Sequence, residues 1–141
     1  MYETFEHKAD IGVKGTGDNV EEAFQEAAKA LFSVEVQVLN VEPKTKIKIR
    51  CDASNLEELL VEWLNALLAQ ASIHNMVFSS FSLKINAKDT QYELDGFAVG
   101  EKLNVKKHKP GIEIKAATYS QLKVYQELET KKWVAQCIVD V

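Results

Sequence analysis

Residues 133–141 read Trp133-Val134-Ala135-Gln136-Cys137-Ile138-Val139-Asp140-Val141. An apolar run of this length without glycine or proline predicts a buried or half-buried strand. Such a strand would hold the Asp140 side chain close to the α-carboxylate of Val141. Two anions at short range stay ionised when a positive charge lies beside them, and a hard divalent cation prefers such oxygen ligands. The alternative is a solvated Asp140 that binds nothing, because most chain ends are exposed.

Length and composition predict one domain covering residues 1–141. A net charge of -4 argues against strong direct binding of nucleic acid, because proteins that grip phosphate backbones by charge alone are usually basic. The sequence has no apolar run of about 18 residues and no signal-peptide pattern at its start, so we expect a cytoplasmic protein without a membrane span. Cys51 and Cys137 lack metal-site spacing and are predicted to be reduced core thiols.

The first half of the chain combines short strands with two amphipathic helices. Residues 2–6 and 11–15 are predicted strands, and Asp18 is expected to cap the helix that follows them. Residues 45–51 alternate strictly, which predicts a strand with one wet, basic face. A second helix is expected to open at Ser54 or Asn55. Its predicted core stripe is Leu56, Leu59, Leu60, Trp63, Leu64, Leu67 and Leu68.

The second half of the chain has the period-two pattern of strands. Predicted strands cover residues 81–85, 91–99, 112–119 and 122–128, and residues 100–111 are predicted to form a polar loop. Together with the first half, this order predicts a single α+β domain in which two helices pack on a bent, mainly antiparallel sheet.

Three regions carry candidate functional residues. His7 and Asp10 lie between two predicted strands, where functional side chains are common. Asp10 could instead organise a turn, and His7 could be a partly buried structural residue. Lys115 falls in the middle of the predicted 112–119 strand, either on its wet face or near an acidic cluster or a partner's phosphate. The basic run that contains His108 is either a solvated loop or a phosphate-facing patch.

The sequence lacks the familiar signatures of built-in cofactor or nucleophile chemistry. It contains no GxxxxGK[ST], GxGxxG, GxSxG or HExxH motif and no zinc-type arrangement of cysteine and histidine. Catalysis at a resident cofactor is therefore not expected.

The chain resembles the archease family over nearly its whole length. The resemblance is carried by His7-Lys8-Ala9-Asp10-Ile11-Gly12-Val13, by Gly17 with Val20-Glu21-Glu22-Ala23-Phe24, by Leu59-Leu60-Val61-Glu62-Trp63-Leu64-Asn65, and by Lys115-Ala116-Ala117-Thr118-Tyr119 with Asp140-Val141. The order and spacing of these four stretches make the match specific. The family's strand-helix-strand-strand type of α+β fold agrees with the order of elements predicted above.

The resemblance implies a role in tRNA splicing as an accessory protein and not as an enzyme. Archease-like proteins activate the GTP-dependent tRNA-splicing RNA ligase by promoting its guanylylation and multiple turnover. In the family a divalent metal, Ca²⁺ in crystals, is held by residues that match Asp10, Asp140 and Val141, and Mg²⁺ or Mn²⁺ are alternatives. The family's functionally important lysine matches Lys115. His7 and His108 are further expected contacts with the ligase.

Three positions depart from the family pattern. Lys8 stands where threonine is usual, Asn104 where aspartate is common, and Ser120 where histidine is usual. The expected metal ligands survive all three departures, which affect only the auxiliary contacts through Asn104 and Ser120.

Two other functions fit the same residues. A small metal-dependent phosphoester hydrolase could use Asp10, Asp140 and a metal-bound water, although His7 is almost the only candidate base. A chaperone-like adaptor for RNA-processing proteins would leave the carboxylates without a role. Activity of the isolated chain would favour the hydrolase, and an Asp10 variant that still binds and activates its partner would favour the adaptor.

Overall fold

A computed structural model describes residues 1–7 and 10–141. The strands are β1 (Tyr2–His7), β2 (Asp10–Gly17), β3 (Thr45–Ala53), β4 (Met76–Lys88), β5 (Gln91–Lys102), β6 (Ala116–Ala117), β7 (Lys123–Gln126) and β8 (Trp133–Asp140). The helices are α1 (Val20–Glu35), α2 (Leu56–His74) and the short α3 (Val105–His108), with a single 3-10 turn at Val38–Asn40. The predicted α+β class is confirmed.

Two antiparallel sheets form in the described part of the chain, where the sequence predicted one bent sheet. The larger runs in the order β1-β2-β8-β6, with β7 also paired to β8, and the smaller runs β3-β5-β4. The strand predicted at residues 133–141 is confirmed and occupies an inner position, between β2 on one side and β6 and β7 on the other. Its buried apolar side chains explain that position, because an inner strand must be covered on both faces.

Both long helices begin at asparagine side chains that accept a backbone N–H. Asn55 accepts from Glu58 at 2.8 Å, which confirms one of the two predicted starts of α2. The predicted cap of α1 was wrong by one residue, because Asn19 accepts from Glu22 at 2.8 Å. Asp18 is instead exposed and forms an ion pair with Lys132. That partner is distant in the sequence, so the local pattern gave no sign of it.

The core lies between the helices and the sheets. α1 packs on β2 and β4, and α2 packs on β3, β5 and β6. Trp63 is fully buried and its indole N–H donates to the carbonyl oxygen of Phe24 at 3.1 Å, which joins the two helices. Phe32, Phe78 and Phe81 form an aromatic cluster beside it. The predicted leucine stripe of α2 is buried except at its two ends, Leu56 and Leu68, which are half-buried.

Three boundaries in the second half of the chain differ from the sequence prediction. The predicted 112–119 strand is reduced to the two residues of β6, and the predicted 122–128 strand to the four residues of β7. Residues 100–111 are not a continuous loop, because β5 extends to Lys102 and α3 follows. Alternation alone misled here, since a segment with apolar side chains at every second position can run extended without a strand partner.

Candidate functional site

The pairing of β8 brings Asp140 to the same end of the larger sheet as Asp10. In the β2–β8 register Ile11 faces Val139, and Asp10 and Asp140 are the next residues outward on the two strands. Residues opposed in an antiparallel pair point to the same face, with Cβ atoms about 5 Å apart. The register therefore places the two aspartates as neighbours, although they are far apart in the sequence.

His7 lies at this same end, on β1, which pairs with β2. β1 pairs His7 with Asp10, so the imidazole and the carboxylate project from neighbouring strands. The Nδ1 atom of His7 is buried and has no hydrogen-bond partner among the described residues, which exclude Lys8 and Ala9. A buried ring nitrogen beside a carboxylate is suited to bind a ligand or a metal-bound group. The Lys8 departure lies outside the described residues.

Lys115 approaches the same end from the other side of β8. Its backbone N–H donates to the carbonyl oxygen of Asp140 at 2.8 Å, and β6 pairs Ala116 with Asp140. The Lys115 side chain is exposed. The sequence predicted that Lys115 lies in the middle of a long strand. Lys115 instead comes directly before the very short strand β6. The backbone bond still fixes its position beside the last strand.

Asn65 of α2 holds β6 in place and was not singled out as a functional residue by the sequence. Its side-chain carbonyl oxygen accepts from the N–H of Ala117 at 2.8 Å, and its amide nitrogen lies 3.5 Å from the Ala117 carbonyl oxygen. A side-chain amide has both a donor and an acceptor, so it can bond the N–H and the carbonyl oxygen of a peptide as a neighbouring strand would. The signal for this role was that Asn65 is the one polar residue in the apolar stretch from Trp63 to Ala69.

The segment before Lys115 is fastened to the end of α1. The N–H of Gly111 donates to the carbonyl oxygen of Glu35 at 2.8 Å, and Ile114 is 5% exposed. Burial raises the pKa of Glu35 to about 7, and the charge of Glu113 adds to the shift. The end of α1 therefore holds a carboxyl group that is partly protonated near neutral pH.

We expect this carboxyl group to make the protein less stable as the pH rises from about 4.5 to about 7. The folded pKa lies above the unfolded one, so the folded state holds the proton longer and its advantage is lost across this window. Glu35→Gln should flatten this part of the pH profile, measured by urea unfolding at several pH values. Glu113→Gln is the matched control and should flatten it only partly. An unchanged slope in Glu35→Gln would contradict the assignment.

His108 lies in a separate buried cluster. Its Nε2 is 3.0 Å from Oε2 of Glu101, and the same oxygen accepts from Lys107 at 2.8 Å and from the N–H of Glu42 at 2.8 Å. These donors lower the pKa of Glu101 to about 2, and the hydrogen bond from the Glu42 N–H makes the largest contribution. The His108 side chain is fully buried, so it can touch a partner only if this cluster opens. The structure does not bring it to the Asp140 end.

Asn104 and Ser120 have local roles in the described structure. The Asn104 side chain caps α3 by accepting from Lys107 at 3.1 Å, and its N–H donates to Nδ1 of His108 at 2.9 Å. Nδ1 is therefore an acceptor, so Nε2 carries the proton and donates to Glu101. The Ser120 carbonyl oxygen accepts from the N–H of Ile138 at 2.9 Å. Both residues support neighbouring backbone through contacts that do not depend on a metal.

The donor chemistry of the Asp140 end suits a hard cation. Asp10 and Asp140 are exposed, and the Val141 side chain is 39% exposed beyond the end of β8. Carboxylate oxygens are the ligands preferred by Ca²⁺ and Mg²⁺. Within residues 1–7 and 10–141, no three side chains of His, Cys, Asp or Glu are grouped so that they could hold a metal ion. The expected third ligand is different in kind, because it is the α-carboxylate of Val141.

The described helices include none that is both long and apolar enough to cross a membrane.

Comparison with known proteins gives one family over the whole chain. The model of the Archease protein family (MTH1598/TM1083) matches residues 2–141. The chain is 44% identical to the protein archease of Pyrococcus furiosus over 141 residues, covering 100% of this chain and 99% of the relative. It is 34% identical to the protein archease of Sulfolobus acidocaldarius, covering 99% and 98%.

Solved structures share the fold. Protein 1598 of Methanobacterium thermoautotrophicum, solved in solution, superposes with a TM-score of 0.86 at 31% identity, covering 99% of this chain and 98% of that one. The crystal structure of a Thermotoga maritima protein described as an archease and possible chaperone gives a TM-score of 0.59 at 22% identity, covering 100% and 98%. This second likeness concerns the fold alone.

Proposed function

Because the chain belongs to the archease family, we propose that it is an accessory protein that activates the GTP-dependent tRNA-splicing RNA ligase. In this proposal it promotes guanylylation and multiple turnover of the ligase and does not join RNA itself. The observation that carries the proposal is the order β2-β8-β6, with Asp10 and Asp140 at one end of the sheet and Lys115 bonded to the Asp140 backbone. An exposed acidic end of this kind can enter a partner's pocket.

The acidic end would act by holding a divalent metal. Asp10, Asp140 and the α-carboxylate of Val141 supply the oxygen ligands, and Ca²⁺, Mg²⁺ or Mn²⁺ fits such a set. When bound, the metal would neutralise phosphate charge during guanylyl transfer. This chain's own residues would orient that centre against the ligase, since positioning and electrostatics supply most of the catalysis in phosphoryl-type transfer.

Lys115 and His7 would complete the contact with the ligase. The Lys115 ammonium is exposed on the strand side opposite β2, where it can reach a phosphate or a ligase carboxylate. His7 faces Asp10 and can orient that carboxylate or meet the ligase directly. The backbone bond from Lys115 to Asp140 means that a movement of either residue shifts the other.

The direct test is a guanylylation assay with the ligase and GTP. Adding the chain in less than equimolar amount should let every ligase molecule become guanylylated and turn over repeatedly. The assay is run with Ca²⁺, Mg²⁺ or Mn²⁺ and again after chelation. Ligase that cycles equally well with and without the chain would refute the proposal. Phosphoester hydrolysis by the isolated chain with Mg²⁺ or Mn²⁺ would favour the hydrolase instead.

Lys115→Met is expected to weaken activation of the ligase by about tenfold or more, because it removes a charge-assisted contact while keeping the aliphatic stem. The backbone N–H to Asp140 remains in this variant, so the fold should not change. Lys123→Met makes the same chemical change on exposed β7 and should activate normally. Equal activation by the two variants would remove Lys115 from the contact surface.

A further inference from the structure

The smaller sheet has one face without a covering layer in the described structure. Its inner face carries buried residues such as Ile49, Leu83 and Leu94, which pack toward the helices. On the opposite side, we call one part the outer face, and this part is formed by Lys46, Lys48, Arg50, Ser80, Ser82, Lys84, Asp95, Phe97 and Val99. None of these side chains is buried. The outer face is thus open to a partner.

The register arranges the outer face in three cross-strand rows. They run Lys46–Val99–Ser80, Lys48–Phe97–Ser82 and Arg50–Asp95–Lys84. Four cations and one carboxylate give these three rows a net charge of +3, in a chain whose net charge is -4, whereas the next row on the same side, Asp52–Glu93–Asn86, carries two carboxylates. The positive surface of this acidic protein is therefore confined to these three rows, at one end of the smaller sheet. The electrostatic field of such a patch attracts anionic partners.

An aromatic ring lies at the centre of the cations. Phe97 is 36% exposed, and the Nζ atom of Lys46 lies 4.7 Å from its ring centroid. Lys48 and Ser82 flank the ring on the neighbouring strands. Ser82 is small and exposed. Residues on this face line a shallow depression with a volume of about 580 Å³.

We propose that the outer face binds a single-stranded segment of RNA. One base stacks on Phe97, and the ammonium groups of Lys46, Lys48 and Lys84 contact phosphates on either side. Lys46 and Lys48 are two residues apart on β3, about 7 Å along the strand, a spacing comparable to that of successive phosphates in an extended strand. Sheet faces that combine an exposed aromatic ring with cations bind single strands in this manner.

A nucleic acid uses more of this face than an acidic peptide does. Peptide carboxylates would pair with the lysines but would offer no flat ring to stack on Phe97. Arg50 is already paired with Asp95 at 2.8 Å. This leaves Lys46, Lys48 and Lys84 as the cations around the ring that can bind a ligand. The choice of RNA over DNA rests on the proposed function, while the choice of a single strand rests on the sheet face alone. The charge of -4 on the whole chain predicts weak, salt-sensitive binding.

The test measures fluorescence anisotropy of a labelled single-stranded RNA of about 10 nucleotides with the purified chain at low ionic strength. Three phosphate contacts predict a slope of about -2 for the logarithm of the association constant against the logarithm of salt concentration. Phe97→Ala and Phe97→Leu should each weaken binding about fivefold or more, because leucine keeps apolar volume but cannot stack. Lys48→Glu should also reduce the steepness of the slope by about 0.7.

Lys106→Glu is the matched control, since it makes the same charge change on exposed α3 and should alter binding less than about twofold. Circular dichroism checks that each variant is folded. The proposal is overturned if RNA does not bind at low salt, if the Phe97 variants bind like the parent, or if a glutamate-rich peptide or single-stranded DNA competes as well as RNA does. Sedimentation showing that the outer face pairs two copies of the chain would also overturn it.

The assay contains no ligase, which keeps the two proposals separable. Failure of RNA binding leaves the guanylylation result intact. Asp140→Asn should strongly reduce ligase activation while RNA binding by the outer face stays unchanged, because the residue lies on the other sheet.

Discussion

Asp10→Asn and Asp140→Asn are each expected to reduce activation of the ligase by about tenfold or more, and the double variant should lose little beyond either single change. Removal of a group that only supports a metal ligand already costs about 10–100-fold in affinity or activity. Loss of a ligand oxygen's charge should cost at least as much. Residues that act through one shared centre are strongly non-additive, which makes the double variant the informative measurement.

Ca²⁺ affinity, measured by calorimetry on the isolated chain, should fall in parallel with activation. Asp89→Asn is the matched control, because Asp89 sits in the exposed β4–β5 turn with a φ of 55° that asparagine also tolerates. Its activation and Ca²⁺ affinity should equal those of the parent. Additive losses in the double variant would mean that the two aspartates do not share a cation.

Gly15→Ala is expected to lower the free energy of unfolding by about 3 kcal/mol or more. A Cβ atom at Gly15 would overlap the Ala23 carbonyl oxygen and the Ala27 nitrogen, which are backbone atoms of α1. Neither atom can move without shifting the helix against β2. Urea unfolding followed by circular dichroism measures the loss.

Gly12 offers a contrasting case on the same strand. The atoms nearest to a Cβ atom there belong to the outer end of the Phe5 ring, which can rotate or shift. Gly12→Ala should therefore cost about 1 kcal/mol, and adding Phe5→Leu should recover part of it. Substitutions at Phe5 should not restore the stability that Gly15→Ala loses. Equal losses at the two glycines would show that α1 can move away from the sheet.

The sequence predicted the parts of the fold that depend on local pattern. The apolar run that ends at Asp140 is a buried strand, and the leucine stripe of α2 packs in the core. Both patterns are long enough for one face to dominate, so burial follows from the sequence itself. The 112–119 segment also alternates apolar and polar residues, but only Ala116 and Ala117 pair with another strand, β8.

The candidate site was predicted as a set of residues and not as an arrangement. Asp10, Asp140 and Lys115 came from the terminal strand and from the family resemblance, and the register brings them to one end of the sheet. His108 shared a basic run with exposed lysines, yet tertiary packing buries it against Glu101. Whether a polar side chain in a loop finds a buried partner depends on residues that the local sequence does not contain.

By itself, the sequence determined the α+β class, the two long helices and a last strand that carries a carboxylate. Periodicity and capping are properties of neighbouring residues, so they can be read before the chain folds. Only the tertiary structure decided that β8 lies between β2 and β6, that Asn65 holds β6, and that the cations of the smaller sheet surround Phe97. Strand partners and register are chosen by non-local packing, and a shift of one residue would turn every side chain of a strand to the other face.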